Sequence, residues 1–195
     1  MKTIHELIIN SLRIPYFNGR GDIDMKNGPV EVHKIIIEKT MKYMGVPVLH
    51  YKIEYPRFGS AYEQEELEPI NGWYRNQALE LQKKYETEVY AEAVELFESS
   101  RENQFPFHMF EAVSAYTVTY NKNDLLSLYY DHYIYSGGAH GGTKRESDTW
   151  SVKKGCRIEL PQLSSDPDRA RQMILDRINE QIAIQIKSGE KMYFD

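Results

Sequence analysis

Six histidines, one cysteine and a scatter of serines and carboxylates are what this 195-residue chain offers for chemistry. The histidines are His5, His33, His50, His108, His132 and His140. No two stand at i, i+4 on a predicted helix, so no helical metal pair exists. Zinc sites show tighter local spacing than His108, His132 and His140 provide, and no metal ligand is assigned. Asp131 and His132 are adjacent on a predicted strand and so point to opposite faces. Ser136 precedes Gly137-Gly138, but S-G-G is not the G-x-S-x-G of a nucleophile elbow, and no helix follows. Its surroundings, YSGGAHGG from Tyr135 to Gly142, lack the G-x-x-x-x-G-K of a phosphate loop and join two strands. His140 is left as the candidate general base, without a partner that the sequence can place. Cys156 sits in KKGCRIEL, a turn followed by a strand, and reads as a structural thiol.

Three readings of the glycine loop follow. One is a small hydrolase-type enzyme built on His140, with Asp131, His132 or Ser136 nearby. Another is a nest of backbone N–H groups for an anion. The third, which leads, is a hairpin connection in which Gly137, Gly138, Gly141 and Gly142 serve the backbone.

The elements that would hold these residues come in adjacent strand pairs. Thr3–Ile14 is predicted as a strand, followed by a turn-rich loop containing Arg20-Gly21-Asp22, read as a glycine turn. Val30–Tyr43 and Val46–Tyr55 form a hairpin about Gly45, with a phase shift near His50 that signals a bulge. A long helix then carries Ile70, Trp73, Tyr74, Leu81, Tyr85, Val89, Ala93, Leu96 and Phe97 as one buried stripe. The acidic run Glu63–Glu68 leads into it, where the helix dipole favours negative charge. Strands follow at His108–Asn121, Asp124–Ser136 and Thr143–Lys153, with a short one at Cys156–Leu160. A last helix opens with Ser165 as N-cap and Pro167 in its first turn, and stops at Gly189. Its Ile174, Ile178, Ile182 and Ile186 are expected to face a core. Paired strands favour an α+β fold, an antiparallel sheet with two main helices packed on it. Residues 1–195 are expected to form one unit, with an N-terminal half (1–105) that carries the long helix. The C-terminal half (106–195) carries the glycine hairpin and the last helix.

Composition narrows the function classes. A net charge of -5 and the absence of a basic patch argue against nucleic acid. A single cysteine permits no internal disulfide. No segment approaches the ~20 apolar residues of a membrane helix, and no export signal is visible, so a soluble cytoplasmic protein is expected as written. The 15 tyrosines suit sheet surfaces and interfaces.

The stretch YYDHYIYSGGAHGGTKRESDTWSVKKGCRIELPQL, Tyr129–Leu163, resembles the core of the RsiV-like bacterial domain family. That domain occurs in the ectodomain of the lysozyme-sensing anti-sigma-V factor and beside the catalytic domain of a peptidoglycan deacetylase. The carrying elements are the tyrosine-rich strand, S-G-G-A-H-G, Thr149-Trp150, and Leu160 and Leu163 before a helix. In the front half, LHYKIEYPRF and the long helix resemble the companion N-terminal domain of the same proteins. The resemblance implies a sheet covered by helices and a non-enzymatic role in binding a protein or cell-wall-derived ligand, without a cofactor. It places ligand contacts at Tyr133, Tyr135, Ser136, Gly138 and His140. Family members are usually extracellular or membrane-anchored, and they usually close with a tyrosine- and proline-rich strand pair after the last helix, where this chain has KMYFD. An edge strand left open there would favour a homodimer. An orphan intracellular interaction domain is the remaining alternative.

Overall fold

The computed structural model describes residues 29–59 and 65–189. The predicted strand Thr3–Ile14, the Arg20-Gly21-Asp22 turn, the first two residues of the acidic lead-in and the KMYFD end lie outside those residues. The described residues divide into two compact units, one within Ile23–Arg157 and the other from Ile158 onward.

The larger unit begins with β1 (Glu31–Tyr43) and β2 (Val46–Gly59), an antiparallel hairpin. Met44 and Gly45 turn the chain with φ of 49° and 83°. Positive φ at both positions matches the right-handed twist of the flanking strands. The pairing shifts between Met41 and Lys42, which oppose Leu49 and Pro47, so Val48 is the extra residue of a bulge. Val48 and Leu49 are consequently both buried, and this breaks the strand's alternation just before His50.

The long helix follows as α1 (Glu68–Lys84), a π-helical turn (Tyr85–Val89) and α2 (Tyr90–Glu102). Asn71 ties its start to the end of β2. The Asn71 carboxamide accepts from the Phe58 backbone N–H at 2.7 Å and donates to the Phe58 carbonyl at 2.9 Å. Ile70, Tyr74, Ala78, Tyr85, Val89 and Ala93 are buried, whereas Trp73 and Leu96 are each 36% exposed. The expected stripe is therefore narrower, and it realigns through the π turn.

β3 (Phe110–Lys122), β4 (Leu125–Tyr135), β5 (Gly142–Ser151) and β6 (Cys156–Arg157) complete a six-stranded sheet in sequence order. Asn123 and Asp124 make the β3–β4 turn, again with two positive φ angles. The sheet is mostly antiparallel, but β2 and β3 run parallel. This is a departure from a purely antiparallel sheet, and the long helix causes it. A helical run from Glu68 to Glu102 is about 50 Å long, so it carries the chain back to the end where β2 began.

Two apolar clusters fill the space between helix and sheet. One centres on Val48, Leu49, Tyr51, Ile53, Ala78, Tyr85 and Val89. The other centres on Phe58, Ile70, Tyr74, Leu126, Leu128 and Trp150.

In the second unit, a 3-10 turn (Leu160–Leu163) precedes α3 (Pro167–Ser188). The cap falls one residue later than expected: the Asp166 carboxylate, not Ser165, accepts the Arg169 N–H at 3.1 Å. Gly189 ends the helix at φ 71°. Ile174, Ile178 and Ile182 are half-buried and Ile186 is 56% exposed. No helix among the described residues is long and apolar enough to cross a membrane.

Candidate ligand-binding cleft

Strand alternation decides which side chains reach the helix side of the sheet. On β4, Leu126 and Leu128 belong to the second cluster, so Tyr130, His132 and Ile134 continue the same face. On β5, Trp150 marks that face, and Asp148, Glu146 and Lys144 follow from it. Polar groups thus occupy core-facing positions at one end of two strands. Opposite them stand Trp73, Gln77, Leu81 and Lys84 of α1 and Tyr85 of the π turn. Between helix and sheet lies a cleft of about 640 Å³. That is within the range that holds a small ligand.

Asp148 is the hub of the polar side. Arg157 Nη2 approaches it at 2.9 Å, and the Tyr74 hydroxyl donates to it at 3.3 Å. The Trp150 indole N–H in turn donates to the Tyr74 hydroxyl at 2.6 Å. The Arg157 guanidinium lies over the Trp73 ring, 5.0 Å from its centroid. Burial raises the Asp148 carboxyl above its ordinary value, against the opposing pull of Arg157 and the Tyr74 hydrogen bond. Burial also raises the hydroxyls of Tyr74 and Tyr130, which keep their protons.

His132 stacks on Tyr130, with ring centroids 5.5 Å apart and 3° between the planes. Ser114 Oγ lies 3.0 Å from His132 Nδ1, and Glu146 lies 3.6 Å from Nε2. The carboxylate beside Nε2 favours the tautomer that carries its proton there, which leaves Nδ1 to accept from the Ser114 hydroxyl. Burial lowers the His132 pKa, with Glu146 opposing it, so the ring is neutral at pH 7. Lys144 bonds Glu146 at 2.5 Å and holds its carboxyl below the ordinary range.

Of the residues singled out in the sequence, His132 lines the cleft and the others sit elsewhere. Asp131 points away from His132, as alternation requires, and pairs with Arg145 through two bonds of 2.7 and 2.6 Å. Arg145 stacks on Tyr129 at 4.0 Å. Tyr133 and Tyr135 are half-buried, while Ser136, Gly138 and His140 are exposed. None of these five lines the cleft. His140 makes no hydrogen bond or ion pair with a described residue. The loop's four glycines also divide. Gly137 has φ 83°, and a Cβ there would stand 2.8 Å from Leu96. A Cβ on Gly141 would meet the Tyr133 ring at 2.4 Å. Gly138 and Gly142 have open space and no positive φ. Two of the four therefore answer to a backbone or packing demand.

Sequence reasoning missed Ser114, Tyr85, Glu146, Asp148 and Arg157 as site residues. A signal existed for His132: a polar residue two positions beyond Tyr130 and four beyond Leu128 sits on the apolar face of its strand. Among the described residues, no three His, Cys, Asp or Glu side chains gather as a metal site requires.

Comparison with known proteins adds a family. A family model described as Deacetylase PdaC matches residues 46–143, which takes in β2, the helix, β3 and β4. A DUF3298-family protein of Bacteroides fragilis has a similar structure, with TM-score 0.57 and 14% identity over 70% of this chain and 62% of that one. A DUF3298-family protein of Pseudomonas aeruginosa gives TM-score 0.46 and 14% identity over 70% of this chain and 58% of that one. The chain thus spans less than two thirds of either structure. The first likeness is one of fold. No curated protein matches the chain.

Proposed function

The chain belongs to the Deacetylase PdaC family, and from that membership we propose that it is a non-catalytic binding module whose cleft takes a cell-wall-derived ligand. One observation carries the reading: a cleft of small-ligand size joins aromatic faces to converging charged groups. Aromatic rings bury a large area at small entropic cost, and the fixed polar groups supply orientation. Trp73 is the exposed aromatic at the rim, packed edge-on against Trp150 and stacked under Arg157. The S-G-G-A-H-G segment supports kinship with RsiV-like domains inside this family, and the exposed Ser136, Gly138 and His140 are available for secondary contacts.

The test is calorimetric titration with purified muropeptides and, separately, with lysozyme. Muropeptides are expected to bind, and Trp73→Ala to weaken them about tenfold, the effect of losing about 1.4 kcal/mol. Binding unchanged in Trp73→Ala removes the cleft from the reading. Binding of lysozyme alone replaces the ligand by a protein partner.

A second reading has one observation behind it: the line of Ser114, His132 and Glu146 has the composition of a hydrolase relay. It ranks lower because Ser114 is fully buried at the floor of the cleft. Turnover of an activated ester that disappears in Ser114→Ala would reverse the order.

A further inference from the structure

The cleft has two chemically different parts. One is polar and aromatic, with Tyr74, Tyr130, Asp148 and Arg157. The other is walled by carbon. Ile53, Ala78 and Tyr85 belong to one apolar cluster, and Leu81 and Ile134 pack against it. In that wall stands a single polar atom that the fold does not use. Tyr85 is fully buried, and its hydroxyl has no hydrogen-bond partner among the described residues. Its buried counterparts are paired: the Tyr51 hydroxyl donates to Glu86 at 2.6 Å and the Tyr74 hydroxyl to Asp148 at 3.3 Å. A buried hydroxyl left unpaired costs stability, so its retention calls for an explanation outside packing. Tyr85 also opens the π-helical turn, an irregularity found most often at functional sites. Burial pushes its pKa up to about 12, so the hydroxyl keeps its proton and acts as a donor.

The surroundings define what that donor suits. A carboxylate would bring an unpaired charge into an apolar wall. A sugar hydroxyl would leave its own hydrogen without an acceptor there. A carbonyl oxygen attached to hydrocarbon meets both conditions. We propose that Tyr85 is a ligand-binding residue whose hydroxyl donates to the acyl oxygen of an N-acetylated sugar, with the acetyl methyl seated against Ile53, Ala78 and Ile134. The amide N–H then turns toward the part of the cleft that carries carboxylates. This inference rests on the binding reading above and names the group recognised. Since the hydroxyl is closed to water, seating the acyl group requires a side-chain shift in the wall. Association is therefore slower than for a preformed site.

The experiment is calorimetric titration of the full chain with N-acetylglucosamine oligomers and with glucosamine oligomers of equal length. Wild type and Tyr85→Phe are compared, and thermal melts are run on both. The acetylated oligomer is expected to bind wild type at least about tenfold more tightly, since a site with a dedicated donor rejects a ligand that lacks the acceptor. Tyr85→Phe is expected to lose that preference and to melt no lower than wild type. Equal affinities, a preference retained in Tyr85→Phe, or a lower melting temperature for the variant each overturn the proposal; the last result means that the hydroxyl has a structural partner such as a resident water. N-acetylalanine binding as tightly as the oligomer would overturn the sugar assignment. Muropeptide binding without acetyl preference removes this inference and leaves the binding reading. Acetyl-dependent sugar binding without muropeptide binding keeps the cleft as a binding site and this inference with it but removes the intact muropeptide as its ligand, and binding of neither removes both.

Discussion

Glu86 shows how a single side chain joins helix to sheet. Its carboxylate accepts from Lys39 Nζ at 2.7 Å and from the Tyr51 hydroxyl at 2.6 Å, with the Gln82 amide at 3.4 Å. The Lys39 bond, then the Tyr51 bond, hold its pKa down at about 2 against an ordinary 4.5. A carboxyl with a depressed folded-state pKa contributes stability above its unfolded value and loses it as pH falls through the folded value. Glu86→Gln is therefore expected to melt below wild type at pH 7. The gap should begin to close below about pH 4.5 and be gone near pH 2, as a series of thermal melts will show. A gap that does not change with pH would remove the charge from the account. Glu86 was unremarkable in the sequence, as were Ser114 and Glu146, because each acts through partners far along the chain; Ser114 and His132 are 18 residues apart. His140 stood out only because glycines surround it, and glycine content marks backbone geometry rather than chemistry. What the sequence did carry was the phase of β4, which puts Tyr130 and His132 on the face of Leu126 and Leu128.

At the scale of elements, periodicity was legible and its interruptions were legible only in part. The bulge in β2 left a trace because Val48 and Leu49 are adjacent apolar residues, both needed inside. The π turn left none, since apolar residues at three- and four-residue steps read the same whether or not one extra residue is accommodated between them. Trp73 was read into the buried stripe for the same reason, and its ring instead stands at the rim of the cleft. Turn glycines divide by geometry that a sequence does not contain. Gly155 has φ 60°, and a Cβ there would lie 2.8 Å from the Glu66 backbone oxygen, which cannot swing aside as a side chain can. Gly138 meets nothing. Gly155→Ala is expected to destabilise by about 2 kcal/mol, from the left-handed penalty and the clash together. Gly138→Ala is expected to stay within about 0.5 kcal/mol of wild type. Chemical denaturation of both variants checks this, and equal losses would mean that backbone geometry does not separate the two glycines.

For the whole molecule, the sheet came out mixed because the connection after β2 is one long helix. Adjacent strand pairs in the sequence predict the hairpins correctly, β1 with β2 and β3 through β6, but they are silent on how the two groups join. The join is the parallel contact of β2 with β3, and the cleft lies along it, since Ile53, Ser114 and His132 come from three successive strands of the sheet. The site therefore depends on the helix crossover rather than on any hairpin alone. Everything that builds it falls within the unit Ile23–Arg157: both apolar clusters, the long helix, and the cleft from Ile53 to Arg157. A unit with its own core and of ordinary domain size is expected to fold independently. A fragment covering Ile23–Arg157 should then melt in one cooperative transition and give a dispersed amide spectrum. It should also bind the same ligands as the full chain, within about threefold, a difference under 1 kcal/mol. A broad, non-cooperative melt would show that the second unit is required for the core. A cooperative melt with binding lost would show instead that residues beyond Arg157 complete the site.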